Sequence, residues 1–170
     1  MKRVLLVFAV LLFVASPAFA QAPAHSGFTA LANVGVGFQH DTFYDETPVG
    51  LAVSFGAGVF VTDRIAVLGR YSGTSAHFDG PDLTQMSGVW GGTIQCWLNN
   101  WASIEVGGGY GRWSDEFDDS DGGFGLILAF QATVWQRGQH HIRAGVEYTP
   151  VFTDAKVHNI GVVAGYQYAR

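Results

Sequence analysis

The feature that most constrains this chain is an alternation of apolar with small or polar residues at every second position. Between residues 28 and 38 the even-numbered positions are apolar, from Phe28 to Phe38, while the odd-numbered ones include Thr29, Asn33 and two glycines. Successive side chains of a β-strand point to opposite faces, so this period predicts strands with one apolar face and one small or polar face. The chain has no convincing window with the 3.6-residue period of an amphipathic helix.

Eight such segments can be placed in the sequence, at 28–38, 49–59, 65–72, 85–98, 102–111, 123–136, 140–151 and 157–169. Three connections are short, at 62–64, 99–100 and 137–139, and the others are longer and polar, at 39–47, 74–84, 113–122 and 152–156. Bacterial outer-membrane barrels show this alternation of turns and loops. A strand of about 11 residues, tilted by about 40°, covers on the order of 28 Å, close to their apolar band of about 25 Å.

The fold class predicted from these segments is therefore all-β. We expect an eight-stranded antiparallel up-and-down transmembrane β-barrel with short periplasmic turns and longer extracellular loops. Both chain termini should lie at the rim that carries the short turns, because the number of strands is even.

The first twenty residues have the pattern of a cleaved secretory signal peptide. Lys2 and Arg3 precede an apolar run from Val4 to Ala15, and Ala18-Phe19-Ala20 is typical of a signal-peptidase site. The sequence thus predicts a signal peptide at 1–20 and an outer-membrane β-barrel domain at 21–170. It also predicts export to the outer membrane of a Gram-negative type of cell.

Composition excludes several other classes of protein. After residue 20 every hydrophobic segment is interrupted by glycine or charged residues, which excludes a helical membrane protein. Cys96 is the only cysteine, so no intramolecular disulfide can form. Removing Lys2 and Arg3 leaves seven basic against fourteen acidic residues, a formal net charge of −7, so we expect no nucleic-acid partner.

Two hairpins and the last strand resemble those of a known family. The segments from Phe60 to Ile65 and from Trp97 to Ala102 are similar to the periplasmic turns of the OmpA/OmpX-type outer-membrane β-barrel domain, and the resemblance covers roughly residues 27–168. The apolar stripe of the last strand, which ends in Tyr166 and Tyr168, resembles the signal read by the barrel-assembly machinery. The resemblance thus implies that machinery as a partner. Members of the family usually end on an aromatic residue, whereas in this sequence Ala169 and Arg170 follow Tyr168.

If the apolar faces contact lipid, the opposite faces fill the lumen. The polar residues on those faces are Asn33, Ser54, Arg70, Thr93, Gln95, Glu105, Gln131, Thr133, Arg143, Glu147, Asn159 and Gln167. Buried charges are tolerated when they are paired and hydrogen-bonded, so we predict a lumen charge network of Arg70, Glu105, Arg143 and Glu147 in which Glu105 pairs with Arg70, Arg143 or both. Such a network can be a structural plug, a gate or a proton relay. We favour the plug, because side chains just about fill an eight-stranded barrel.

The outer surface shows two further patterns. Aromatic residues suggest two interfacial girdles, with Trp97, Trp101 and Trp135 among those at the periplasmic end. Eleven of the fourteen acidic residues lie in the long loops, and one loop contains Asp115, Glu116, Asp118, Asp119 and Asp121. These carboxylates could weakly bind divalent cations that bridge lipopolysaccharide phosphates. The expected partners are therefore outer-membrane lipids and lipopolysaccharide, around a barrel that is a monomer.

No pattern in the sequence predicts a catalytic, cofactor-binding or metal site. His40, Asp41, His77, Asp79 and His158 fall on the loop side without a spacing that demands chemistry, and adjacent His140 and His141 point to opposite faces. We therefore expect a non-enzymatic barrel that serves envelope integrity or surface interaction through its acidic loops. Two alternatives stay open: a rim-active enzyme or narrow channel, and an exported soluble barrel that binds a ligand as lipocalins do.

Overall fold

A computed structural model of the chain describes residues 25–42, 46–79, 82–116, 120–154 and 156–170. The predicted signal peptide lies outside these ranges. The strands are β1 (Gly27–Asp41), β2 (Val49–Phe60), β3 (Ile65–Phe78), β4 (Leu83–Trp97), β5 (Ala102–Asp115), β6 (Ser120–Arg137), β7 (His140–Phe152) and β8 (Lys156–Ala169). Within the described ranges, no helix has the length and apolar character needed to cross a membrane.

Each strand pairs antiparallel with the next, and β1 pairs with β8, so the sheet closes into a barrel. This confirms the predicted eight-stranded up-and-down fold. We call the end where β1 begins and β8 ends, with the connections 61–64, 98–101 and 138–139, the terminal rim. The opposite end, with the connections 42–48, 79–82, 116–119 and 153–155, is the loop rim.

The strands contain 12 to 18 residues and continue into ranges that the sequence assigned to loops. The clearest case is the segment 74–84, of which only 79–82 lies between strands. There Thr74 pairs with Ser87 and His77 with Thr84. Polar residues made these positions resemble a loop, but cross-strand pairing satisfies their backbone N–H and C=O groups equally well. Asp115 and Asp121 are likewise strand residues rather than loop residues.

The local chemistry of the terminal-rim turns explains where the hairpins form. Thr62 Oγ1 accepts hydrogen bonds from the backbone N–H groups of Arg64 and Ile65, at 3.2 and 3.0 Å. Asn99 Oδ1 accepts from the N–H groups of Trp101 and Ala102, at 2.9 and 2.8 Å. Such side-chain bonds to nearby backbone are the reason why Asn and Thr favour turns.

The barrel wall is apolar outside and polar inside. Val34 and Val36 on β1 are 56% and 48% exposed, whereas Asn33 on the opposite face of the same strand is 6% exposed. An outward row of aromatic side chains runs in register across six strands: Phe55, Tyr71, Trp90, Tyr110, Phe124 and Phe152. This polarity is the reverse of that expected for a soluble ligand-binding barrel, whose apolar stripe would face inward.

Candidate functional site

The polar side chains that fill the lumen form the candidate site, and Glu147 on β7 lies at its centre. Its Oε1 accepts hydrogen bonds from Asn33, Ser54, Arg70 and Gln131 at 2.7 to 3.1 Å, and Ser72 donates to Oε2 at 2.7 Å. These donors come from β1, β2, β3 and β6. One carboxylate therefore links four other strands across the lumen.

Arg70 connects the two buried glutamates. Its Nε donates to Glu105 Oε1 at 2.8 Å and one terminal nitrogen donates to Glu147 Oε1 at 2.7 Å. Thr93 on β4 donates to the same Glu105 oxygen at 2.6 Å. All three ionic residues are less than 5% exposed. With the partners of Glu147, this group joins seven of the eight strands, and we call it the central network.

Arg143 contacts the central network through Gln131 rather than through a carboxylate, although the sequence grouped it with Arg70. Its guanidinium donates to Gln167 Oε1, to Ser103 Oγ at 2.5 Å and to the backbone oxygen of Gln131 at 3.1 Å. It also lies 4.7 Å from the centre of the Trp97 ring. The structure thus joins Glu105 to Arg70, while the hydrogen-bond partners of Arg143 are neutral.

An aromatic cap closes the lumen at the terminal rim, and it consists of His25, Phe60, Trp97 and His141. The His25 ring lies 4.8 Å from Phe60, 4.6 Å from Trp97 and 5.8 Å from His141, measured between ring centroids. Its backbone N–H donates to the oxygen of Asp63 at 3.1 Å. Burial, with a smaller contribution from the Arg143 charge, lowers the pKa of His25 from 6.5 to about 4.

The sequence interpretation missed this cap. Trp97 was assigned to the interfacial aromatic girdle at the periplasmic end, but it is 1% exposed and points into the lumen. That assignment was wrong because Trp97 follows Thr93 and Gln95 at every second position of β4, so the alternation already placed all three on one face. Trp101 and Trp135, by contrast, are 40% and 50% exposed on the outside.

Near the loop rim the lumen contains a second polar layer and a small apolar cluster. The Gln39 side chain donates to Gln85, which donates in turn to Asp41 at 2.9 Å. Ser87 on β4 donates to Asn159 on β8 at 2.9 Å. Beside them Val89, Ile127, Val151 and Val157 pack together, with Trp113 against them. Interior side chains therefore occupy the lumen at three levels.

The candidate catalytic residues do not come together as one set. His40 and His158 are cross-strand partners with ring centroids 6.5 Å apart, and His158 bonds to the Tyr148 hydroxyl at 2.7 Å. His77 lies on β3 instead, 3.5 Å from a carboxylate oxygen of Asp82. Asp41 points into the lumen and is 1% exposed. Within the part of the chain that the structure describes, no three His, Cys, Asp or Glu residues could share a metal ion.

The predicted acidic loop is only partly described. Asp118 and Asp119 lie outside the described residues, Glu116 is an exposed turn residue, and Asp115 belongs to β5. Asp121 Oδ2 accepts a hydrogen bond from the backbone N–H of Asp154 at 3.1 Å, which ties β6 to the β7–β8 connection.

A closed eight-stranded barrel with an apolar wall and a polar, charge-paired lumen is the architecture of small outer-membrane proteins. The family model described as the outer membrane protein beta-barrel domain matches residues 6–168. The chain belongs to this family. The resemblance to small outer-membrane barrels is thereby confirmed, and so is a location in the Gram-negative outer membrane.

Solved structures of other outer-membrane barrels have the same fold. The outer-membrane barrel described here is similar to Neisserial surface protein A, at 15% identity and a TM-score of 0.60, over 85% of this chain and 98% of that one. It is also similar to the attachment invasion locus protein Ail of Yersinia pestis, at 18% identity and a TM-score of 0.56, over 84% and 99% of the two chains. No curated protein sequence matches this chain significantly.

Proposed function

We propose that this outer-membrane barrel is a non-enzymatic structural protein of the cell envelope, with a plugged lumen and a loop rim that serves surface interaction. The central network carries the proposal. Arg70, Glu105 and Glu147 cross the lumen and hydrogen-bond to side chains from seven strands. A solute that diffused through the lumen would have to break these bonds. Breaking them would leave unpaired charges in a desolvated interior, which costs much free energy.

The aromatic cap and the layer near the loop rim support the same proposal. His25, Trp97 and His141 lie across the terminal end of the lumen, and all three are at most 8% exposed. An eight-stranded barrel encloses only about the volume that its interior side chains fill. Solutes would meet three successive obstructions along the barrel axis.

The loop rim is the face that we propose for surface interaction. The described acidic residues near it include Asp79, Asp82, Asp115, Glu116 and Asp154, whereas Arg112 and Lys156 are the basic residues on that side. An acidic rim favours cationic partners and divalent cations over anions. We propose that such cations, weakly bound, join this rim to the phosphates of neighbouring lipopolysaccharide.

Deleting the gene in its own host tests the structural role. We expect the deletion strain to become sensitive to detergents and to large antibiotics that an intact outer membrane excludes, and we expect the wild-type gene to restore resistance. A variant with Asp115→Asn, Glu116→Gln and Asp121→Asn should restore barrel abundance but only part of the resistance. Unchanged resistance in the deletion strain, or a defect confined to uptake of one solute or to a lipid modification, would overturn the proposal.

A further inference from the structure

A groove lies on the outer wall of β3, β4 and β5, on the side of the sheet that faces lipid. It has a volume of about 360 Å³, and its lining residues include Tyr71, Met86, Gly88, Trp90, Tyr110 and Arg112. Pockets that bind small ligands have volumes of roughly 300–1,000 Å³. The groove is thus large enough for part of a lipid molecule.

Two paired glycines shape the floor of the groove. Gly73 and Gly88 are cross-strand partners, and a Cβ atom placed on them would lie 2.6 and 2.8 Å from the Tyr71 hydroxyl oxygen. The Tyr71 side chain therefore lies directly on the backbone of both strands. The Trp90 ring packs against it, with centroids 4.6 Å apart and the ring planes tilted by 39°, and Met86 also lines the groove. Both side chains are 55% exposed.

A cation lies in the groove between the level of Trp90 and Tyr110 and that of Met86 and Ser114, which is nearer the loop rim. Arg112 is in register with Gly88 on β4 and with Gly122 on β6. A Cβ atom on Gly88 would meet the Tyr71 hydroxyl and one on Gly122 would meet the Tyr110 hydroxyl, so both hydroxyl groups lie over the positions in register with Arg112. One of its terminal nitrogens donates to Ser120 Oγ at 3.2 Å. Arg112 follows Tyr110 by two positions, which places it about 6–7 Å farther along the strand toward the loop rim.

The groove therefore has an apolar aromatic part deeper in the wall and a positive charge above it. Of the seven basic residues after residue 20, Arg70 and Arg143 are in the lumen, and Arg64, Arg137 and Arg170 are at the terminal rim. Of the two basic residues on the loop side, Arg112 and Lys156, only Arg112 is among the residues that line the groove. An acylated lipid with a phosphate in its headgroup matches this order of apolar and charged contacts.

We propose that this groove binds one molecule of the phosphorylated, acylated glycolipid of the outer leaflet. An acyl chain lies against Tyr71 and Trp90, and a phosphate oxygen accepts hydrogen bonds from the Arg112 guanidinium, whose planar donors suit phosphate geometry. The outer-leaflet glycolipid is the occupant because the short-turn rim of such barrels faces the periplasm and the loop rim faces outward. The proposal does not depend on whether the lumen conducts.

Native mass spectrometry of the refolded full chain with purified bisphosphorylated lipid A tests the phosphate contact. We expect Arg112→Gln to weaken binding about tenfold, the size expected for one lost charge-assisted hydrogen bond. Lys156→Gln removes a cation from the same rim outside the groove and should bind like the wild type. Lipid A without phosphates should bind wild type and Arg112→Gln equally. Equal binding of bisphosphorylated lipid A by all three proteins would overturn the proposal.

A second pair of variants tests the acyl-chain contact. Trp90→Ala should weaken binding of lipid A severalfold, whereas Trp135→Ala removes an equally exposed outward tryptophan near the terminal rim and should not. Heat-modifiable gel mobility verifies that each variant has folded. Inorganic phosphate at millimolar concentration should not displace the lipid. Displacement by phosphate alone, or equal loss in both tryptophan variants, would contradict a lipid site in this groove.

Discussion

Glu147 shows how a charged residue is accommodated inside this barrel. Five side chains from four strands donate to its carboxylate, and Arg70 supplies the compensating charge at 2.7 Å. A buried ion pair is not a strong source of stability compared with well-packed apolar residues, but removing one partner is costly because the other charge stays buried. The central network therefore makes the barrel sensitive to single substitutions.

Replacement of Glu147 by alanine should destabilise the folded barrel by about 3–5 kcal/mol, since Arg70 and several polar groups lose their acceptor. Urea unfolding in lipid vesicles, followed by tryptophan fluorescence, measures this change. Glu116→Ala is the matched control, because Glu116 is an exposed turn residue. It should change stability by no more than about 0.5 kcal/mol. Equal effects of the two substitutions would show that the central network contributes no stability.

His25 makes the docking of residues 25 and 26 against the aromatic cap dependent on pH. Its pKa in the folded state is about 4, against 6.5 for the free side chain, and the charged or titratable groups that face it are Arg143 and His141. The undocked state therefore binds more protons between these two values. Docking is fully favourable above pH 6.5 and weakens progressively as the pH falls toward 4.

Amide hydrogen exchange at His25 and Ser26, corrected for the intrinsic rate, reports this docking. We expect protection at pH 7 that declines below pH 6.5 in the wild type. In His25→Leu the same two residues should show a much smaller decline, because His141 is then the titratable ring that remains in the cap. A decline of the same size in both proteins would assign the pH dependence to another group.

Among the structural elements, the hairpin of β6 and β7 depends on one backbone conformation. Gly138 begins its two-residue turn with a φ of +60°, which side-chain-bearing residues rarely adopt. A glycine at the first turn position is the requirement of a type II′ hairpin.

Gly138→Ala should therefore lower stability by about 1–2 kcal/mol. Gly92→Ala is the control, because its added Cβ would meet nothing within 4 Å and its φ is ordinary. That variant should unfold at nearly the wild-type urea concentration. If both substitutions shift the midpoint equally, backbone strain at Gly138 is not the cause.

The sequence predicted the strands well where one face had to be apolar. Val34, Val36 and Ile104 are all exposed on the outer wall, while Asn33 and Glu105 are buried. Strand ends were harder to predict, because near the loop rim the pattern reverses: Ala76 and Phe78 are buried at 3% and 0% exposure, whereas polar His77 between them is exposed. Thr74 and His77 therefore resembled loop residues, although the hydrogen-bonded ladder continues through them.

Side-chain partners across the lumen were also only partly predictable. Arg70 and Arg143 both lie on inward stripes, and alternation cannot tell which of them reaches a carboxylate. That choice depends on the stagger between strands, because the lumen partner of a residue is not always the residue in register with it. Glu105, for example, is in register with Gln95 but accepts its hydrogen bond from Thr93, two positions away. The cap could not be predicted from the alternation alone, because it depends on His25, which precedes β1 and has its ring centroid 4.6 Å from that of Trp97.

For the molecule as a whole, the distribution of charge separates the two ends. The terminal rim is basic, with Arg64, Arg137 and Arg170 against Asp63, the single acidic residue that the structure describes there. The loop side, in contrast, has more acidic than basic residues. Between these ends an apolar wall surrounds a lumen in which Arg70 and Arg143 balance Glu105 and Glu147. This arrangement suits a barrel that is fixed in the membrane by its wall and interacts with its surroundings through its loop rim.

Single-channel recording in planar lipid bilayers tests the central claim, a plugged lumen, most directly. The full chain is refolded, and its folded state is verified by heat-modifiable mobility before insertion. We predict a steady baseline without discrete conductance steps at moderate voltage and neutral pH, because the central network and the cap remain closed. Reproducible conductance steps from the folded wild-type protein would contradict the plugged barrel and would favour a narrow channel.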